Sequence, residues 1–301
     1  MKTNEQEPLV SVLMTAYNRE NYIAEAIESV RCQTYENWEL IITNDCSKDR
    51  TLEIAQSYAA NDSRIRVYTN ERNLGDYPNR NRAASYAKGK YLKYLDSDDL
   101  MYPWALDSMV GMMEQYPQAK IGYCCRELAT IQYNPILLTP EQAYISHYFE
   151  NGIPIFSRSP LSVIMDRASF EDLKGFTGQQ HLGDFEFWNI MSREYPSLIM
   201  PAGQTWYRVH SDQQMNDNRT DPIVPFKYLV KTIELINHPH CPLSLQDRKL
   251  IINYTNHSMI TGLLRVLSHF KFQKFVEMIN MVPHKPVWSL VKYLPRQPKK
   301  R

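Results

Sequence analysis

From Leu9 to Ala16 the chain runs almost without a polar break, and after a short polar turn Tyr22, Ile23, Ala26, Ile27 and Val30 recur at helical spacing. That pattern predicts a buried strand, a loop and an amphipathic helix. The unit then repeats. Trp38 to Thr43 reads as a second strand, and the turn Asn44-Asp45-Cys46-Ser47 leads through a Ser47 cap into a helix carrying Leu52, Ile54, Ala55 and Tyr58. Ile65 to Tyr68 predicts a third strand, Pro78 to Ala87 a third helix stopped at Gly89, and Tyr91 to Leu95 a fourth strand. Short apolar strands alternating with helices imply right-handed crossovers and an α/β fold with a mostly parallel central sheet flanked by helices.

Past residue 101 the rhythm loosens. A helix is expected near Trp104 to Tyr116 and a strand near Ile121 to Cys125, followed by an irregular stretch rich in Tyr, Pro and Ile up to residue 160. Leu161 to Met165 reads as a further strand, and Asp184 to Arg193 as a helix whose acidic start suits the helix dipole. Beyond residue 220 the pattern is helical throughout. The expected organisation is a catalytic domain over 1–220 and a C-terminal helical extension over 221–301.

Composition narrows the classes. With 301 residues, 43% hydrophobic and 22% charged, the chain matches an ordinary globular protein, and a formal net charge of +1 gives no global attraction to nucleic acid. The five cysteines are odd in number and lack C-x-x-C spacing, which fits a reducing compartment. Residues 1–8 are polar, and no run approaches the ~20 apolar residues that cross a bilayer. A cytoplasmic protein is expected. Charge reappears only locally: the last 31 residues hold eight Lys or Arg against one Glu, interleaved with Phe272, Phe275, Trp288 and Tyr293. That tail suits either an anionic membrane surface, placing the protein at the inner face of the plasma membrane, or a solvated helix ending in a frayed terminus.

Ligands of open parallel sheets bind beyond the carboxyl ends of the strands. The polar residues there are Thr15, Tyr17 and Asn18 after the first strand, Asp45 after the second, Asn73 and Gly75 after the third, and Asp96, Asp98 and Asp99 after the fourth. Three carboxylates within four residues repel one another unless a cation joins them, and hard oxygen ligands suit Mg²⁺ or Mn²⁺ bridging a diphosphate. The competing reading is an acidic turn capping the next helix. Asp45, ending the neighbouring strand, is placed to accept hydrogen bonds from a base or ribose, although Asp also serves as an ordinary turn former.

Several stretches in register resemble the inverting glycosyltransferases of family 2, which have the GT-A nucleotide-diphospho-sugar transferase fold. They are Val10 to Asn18, Asn44 to Thr51, Asn73-Leu74-Gly75 with Arg80 and Asn81, and Ala87 to Tyr91 leading into Asp96-Ser97-Asp98-Asp99. The resemblance implies that Thr15, Tyr17 and Asn18 line a nucleotide pocket, that Asp45 contacts the base, and that Asp96 contacts the ribose or sugar. It also implies that Asn73, Gly75, Arg80 and Ser97 lie on the donor side, that Asp98 holds the metal, and that Asp99 orients the loop. Cys46 departs from the family pattern, which has Gly there.

An inverting transfer needs a carboxylate to take the acceptor's proton. Gly183-Asp184-Phe185-Glu186-Phe187-Trp188 resembles the family's acidic segment, with Asp184 in the position of the base, Gly183 replacing the customary first acid, and Glu186 as the substitute base. Trp206 to His210 resembles the closing motif, implying His210 at the metal, and the forked guanidinium of Arg208 suits the diphosphate. The implied partners are a nucleotide-sugar donor, with UDP favoured, and a carbohydrate or lipid-linked glycan acceptor of bacterial polysaccharide assembly. Two alternatives stay open: a catalytically weak nucleotide-sugar or glycan binding module, since Gly183 breaks the acidic pair, and a nucleotidyltransferase, which would want a Gly- and Lys/Arg-rich phosphate loop not seen here.

Overall fold

A computed structural model of the chain describes residues 7–124, 134–149, 154–210 and 221–282. The chain forms two compact units, Met1–Arg208 and Val209–Arg301, which meet ahead of the expected division at 220/221.

In the first unit the expected alternation is present: β1 (Val10–Ala16), α1 (Ile23–Arg31), β2 (Trp38–Asn44), α2 (Thr51–Ala59), β3 (Ile65–Thr69), α3 (Asp76–Ala84) and β4 (Tyr91–Tyr94). The two central strands are buried along nearly their whole length, which is why they read as continuous apolar runs and not as alternating ones. Ala26, Ile27 and Val30 of α1 pack into the core formed by Val10, Val12, Met14, Leu40 and Ile42. Ser47 does not cap α2. The Asp49 carboxylate instead accepts from the Thr51 N–H at 3.0 Å and from its hydroxyl at 2.5 Å, while the Ser47 hydroxyl accepts from the Asn18 N–H.

The first unit continues with β5 (Leu100–Met101), α4 (Ala105–Gln115), β6 (Ile121–Cys124), β7 (Ile136–Leu138), α5 (Pro140–Tyr148), β8 (Val163–Asp166), α6 (Arg167–Asp172), α7 (Gly183–Glu194), β9 (Ser197–Met200) and β10 (Thr205–Trp206). Strand β7 and helix α5 fall in the stretch expected to be irregular. Helix α5 begins with a capping box, Thr139 accepting from the Gln142 N–H while the Gln142 side chain accepts from the Thr139 N–H, and has Pro at its first position.

Among the described residues the main sheet has eight strands in the order β3-β2-β1-β4-β8-β6-β9-β7. Strands β1 to β4 are mutually parallel, β8 runs antiparallel to both β4 and β6, and β9 is parallel to β6. The order reverses at β1, between β2 and β4, the kind of switch point beyond whose carboxyl ends ligands of such sheets bind. A small antiparallel ribbon of β5 and β10 brings residues 205–208 back beside the loop that follows β4.

The second unit contains helices α8 (Ile223–Ile236), α9 (Leu245–Ser268) and α10 (Phe272–Asn280) around Ile223, Phe226, Met259, Leu263, Val266 and Met278. The basic tail beyond Val282, with Trp288 and Tyr293, lies outside the described residues, as does Cys125. Among the described residues no helix is long and apolar enough to cross a membrane. Of the described cysteines, Cys32, Cys46 and Cys241 are free thiols.

Candidate active site

The loops after β1 and β2 are tied to each other before any ligand is considered. Asn18 adopts φ 53° and Cys46 φ 63°, left-handed conformations that Asn tolerates and that explain why the family pattern has Gly at the second position. The Lys48 N–H donates to Asn18 Oδ1 at 2.8 Å. Tyr17 stands 45% exposed at the rim, and the Ser97 hydroxyl donates to the Thr15 carbonyl at 2.8 Å, joining the first loop to the acidic one.

Asp45 is almost fully buried. Asn70 Nδ2 and the Leu74 N–H donate to its Oδ1, each at 2.8 Å, and the Gly75 N–H donates to Oδ2 at 3.0 Å. Three of about four lone-pair sites of this carboxylate are therefore occupied, two of them holding the turn at Asn73–Gly75 and one the Asn70 side chain. Asn73 reinforces the same turn, donating from Nδ2 to the Asp45 carbonyl and accepting the Gly75 N–H on Oδ1. Gly75, at φ 82° and ψ 176°, occupies a region open essentially to glycine alone, and α3 starts immediately after it.

The acidic triplet is separated by its partners and does not converge. Arg80 Nη2 pairs with Asp96 Oδ1 at 2.7 Å, and its Nε with Asp76 Oδ1 at 2.7 Å. Burial opposes the charge on Arg80, but Asp76 and Asp96 outweigh it and hold the guanidinium well above its ordinary range. Burial raises the Asp96 carboxyl above the usual carboxylate range, with Arg80 pulling it down and Asp98 adding to the rise. Arg80 Nη1 is buried and has no hydrogen-bond partner among the described residues, a spare donor beside Asp96. Asp98 takes Arg19 Nε on Oδ2 at 2.9 Å.

Asp99 points inward. It is 1% exposed, and its Oδ1 accepts the Arg208 N–H at 2.9 Å. Burial and the charge of Asp96 push its carboxyl up to about 8, while burial pushes the ammonium of Lys93, beneath the same loop, down to about 8. Arg208 Nε donates to the Asp98 carbonyl at 2.8 Å, and its guanidinium lies 5.2 Å from the ring centres of both Tyr22 and Trp206 while pairing with Glu25 at 2.5 Å. Arg208 thus lies against the acidic loop, and its backbone N–H ties Asp99 in place. His210 belongs to the second unit, and this site is built from the first unit alone.

The second half contributes Asp184 in the first turn of α7. Tyr77 Oη donates to Asp184 Oδ1 at 3.0 Å, and the Phe185 N–H donates to the same oxygen at 2.8 Å. Burial pushes this carboxyl up to about 6, the two hydrogen bonds and Arg80 acting against the rise. Glu186 is buried, and the Thr177 hydroxyl donates to its Oε2. It is therefore held on the inner side of the helix.

Two residues absent from the sequence reading thus belong to the site. Arg19 follows Asn18 directly, so its position in the first loop was readable, although its pairing across to Asp98 was not. Tyr77 gave no local signal. Among the described residues no three His, Cys, Asp or Glu side chains group as a metal cage. A divalent cation shared with a diphosphate needs only one or two protein carboxylates, and the partly buried Asp98 fits that requirement.

Comparison with known proteins gives this geometry a family. The family model described as glycosyl transferase family 2 matches residues 11–173, more than half of the chain. An uncharacterized glycosyltransferase of Haemophilus influenzae is 29% identical over 224 residues, 68% of this chain and 67% of that protein. The Escherichia coli UDP-Glc:alpha-D-GlcNAc-diphosphoundecaprenol beta-1,3-glucosyltransferase WfgD is 42% identical over 105 residues, 35% of this chain and 41% of WfgD. Of several such curated relatives the chain spans less than half the length. Among solved structures, S. aureus TarS 1–349 with UDP-GlcNAc superposes with a TM-score of 0.67 at 16% identity, covering 95% of this chain and 81% of that one. The mannosyltransferase PcManGT of Pyrobaculum calidifontis, solved with GDP-Man and Mn²⁺, gives 0.57 at 14% identity, covering 96% and 85%. With its GT-A fold and an acidic loop after β4 of a mostly parallel sheet, the chain belongs to glycosyl transferase family 2.

Proposed function

We propose that the protein transfers a sugar, with inversion, from a nucleotide diphosphate donor, UDP-linked by preference, to a carbohydrate or lipid-linked glycan acceptor in bacterial surface polysaccharide assembly. One observation carries the reading: helix α3 reaches both the acidic loop, through Arg80 and Asp96, and the half-buried carboxylate of Asp184, through Tyr77. A donor-side group and a proton acceptor thus share one rigid element, as an in-line displacement requires. The UDP-GlcNAc bound by TarS and the diphosphoundecaprenol-linked acceptor in WfgD's name support the donor and acceptor classes.

In this reading Thr15, Tyr17, Asn18 and the remaining lone pair of Asp45 receive the nucleoside, with Asn73 and Gly75 shaping the wall and Asp96, Ser97 and Arg80 meeting the sugar side. Asp98 would hold Mn²⁺ or Mg²⁺, and the cation would offset charge on the diphosphate. Arg208 lies beside the acidic loop, ready to neutralise the departing diphosphate. Asp184 takes the proton of the acceptor hydroxyl as that oxygen attacks the anomeric carbon opposite the leaving group. Glu186, held by Thr177, is the weaker candidate for that role. We place the protein in the cytoplasm, at the inner face of the plasma membrane. The exposed Phe270, Phe272 and Val276 around α10, beside Lys271 and ahead of the basic tail, support surface contact.

Isothermal titration with UDP, GDP and TDP, each with and without Mn²⁺, tests the donor site. Metal-dependent binding of UDP, lost in Asp98→Ala, is expected. No binding of any nucleotide under either condition would overturn the reading.

A further inference from the structure

Asp184 is anchored unevenly. Both hydrogen bonds it receives, from Tyr77 Oη and the Phe185 N–H, end on Oδ1, and Oδ2 accepts none among the described residues. One oxygen is thus fixed and the other is left for a substrate proton. The Phe185 N–H comes from Asp184's own helix and would accompany it wherever α7 moved. Tyr77 is different, because it belongs to α3, on the donor side of the site, 107 residues away in sequence.

The phenol is held as firmly as the carboxylate. Its ring is 6% exposed and packs against Phe176 with centroids 5.3 Å apart. On its other side it lies on the backbone of Gly183, where a Cβ would come within 2.7 Å of the ring atoms. Real Cβ atoms do not approach carbon that closely, so the ring can occupy this place only because residue 183 has no side chain. The family resemblance puts an acid at this position, and here Tyr77 fills the space that acid would need. Burial, with Asp184 and Asp76 nearby, raises the phenol far above its usual range, so it stays a proton donor and takes no part as a base.

We infer that Tyr77 is a positioning residue for the transfer: its hydroxyl fixes Oδ1 of Asp184 so that Oδ2 meets the acceptor, and α3 sets the distance between that base and the donor. This rests on the proposed role of Asp184. Tyr77 and Arg80 stand three residues apart and share one face of α3, so the helix that locks Asp96 also locks Asp184. During the reaction the acceptor O–H bond breaks and its proton passes to Oδ2. The oxygen's electron pair forms the bond to the anomeric carbon, and the bond to the diphosphate breaks with its pair leaving on the diphosphate. The Tyr77 proton stays where it is.

Among the described residues Tyr77, Asp76 and Arg80 face Asp184 from α3, Glu186, bonded by Thr177, stands on its own helix, and His147 of α5 packs on the ring of the neighbouring Phe185. The phenol donates to the ionised form and so lowers the carboxyl. Removing it should raise the midpoint. A hydrogen bond to a charged group corresponds to about one to two pH units.

The test follows the Asp184 carboxyl in the full chain carrying ¹³Cγ-aspartate, its resonance assigned by its absence in Asp184→Asn. The wild type should titrate near 6. Tyr77→Phe, which keeps the ring on Gly183, should titrate about one to two pH units higher. Gly183→Ala, which pushes the ring away, should shift in the same direction. An unchanged midpoint in Tyr77→Phe, with unchanged thermal melting, overturns the inference. Release of UDP from UDP-N-acetylglucosamine and UDP-glucose separates this failure from that of the underlying reading. If Asp184→Asn turns over donor as fast as the wild type, Asp184 is not the base and the contact is structural, even where the titration shift is found.

Discussion

The carboxylates after β2 and β4 and the carboxylate of α7 are treated in opposite ways by the fold. On the donor side Asp96 and Asp98 each have an arginine within 2.9 Å, and Asp45 has three N–H donors. Across the crevice Asp184 has a phenol and one backbone N–H, and burial is left to dominate, raising it to about 6. Groups that meet a diphosphate or a nucleoside do their work as fixed charges, so a strong partner costs them nothing. A group that must gain a proton in each turnover works best with its pKa near the ambient pH, and an arginine beside it would remove that capacity.

The contrast is broken most severely at Asp184, the proposed base. Asp184→Asn should lower turnover by about 10²–10⁴-fold while leaving nucleotide affinity intact, because its two hydrogen bonds, from Tyr77 and the Phe185 N–H, involve none of the residues proposed to meet the nucleoside or the metal. In the wild type the rate should climb with rising pH through a midpoint near 6, since Asp184 must lose its proton to act. A donor affinity that fell with the rate would show that the two sides are not separable. Next comes the strongest of the donor-side pairs. Arg80→Met leaves Asp76 and Asp96 without their shared cation and should destabilise the fold by about 3–5 kcal/mol, measurable by urea unfolding. The smallest effect belongs to the turn. Gly75→Ala meets no atom within 4 Å of the new Cβ, so only backbone strain of about 1–3 kcal/mol is expected, together with weaker nucleotide binding.

The two regions also differed in how far they could be read from residues alone. Strands β1 to β4 and helices α1 to α4 lie within a few residues of their expected bounds, because each is a short apolar run or a single helical stripe closed by polar turns. The loops bearing Asn18, Asp45 and Asp98 followed from that alternation. Helix α5 carried a readable start in Thr139-Pro140-Glu141-Gln142, but its apolar residues make almost no stripe, with only Ala143 and Tyr144 buried. The antiparallel course of β8 between β4 and β6 is set by which edge it reaches, and nothing in Val163–Asp166 encodes that. Arg19 on Asp98 and Tyr77 on Asp184 are contacts 79 and 107 residues apart, beyond any local pattern. Gly183 illustrates the same limit: as a letter it broke a motif, and only the ring of Tyr77 lying on it supplies the reason.

The hydrogen bonds from Asn70, Leu74 and Gly75 onto Asp45 have a thermodynamic consequence for recognition. A loop frozen only on contact with its ligand surrenders its conformational freedom at that moment, and the observed affinity is smaller by that amount. Here the turn at 73–75 is ordered by a buried carboxylate during folding, so that loss of freedom is already complete before the proposed nucleotide arrives. The wall of the crevice is made by the chain and not by its guest.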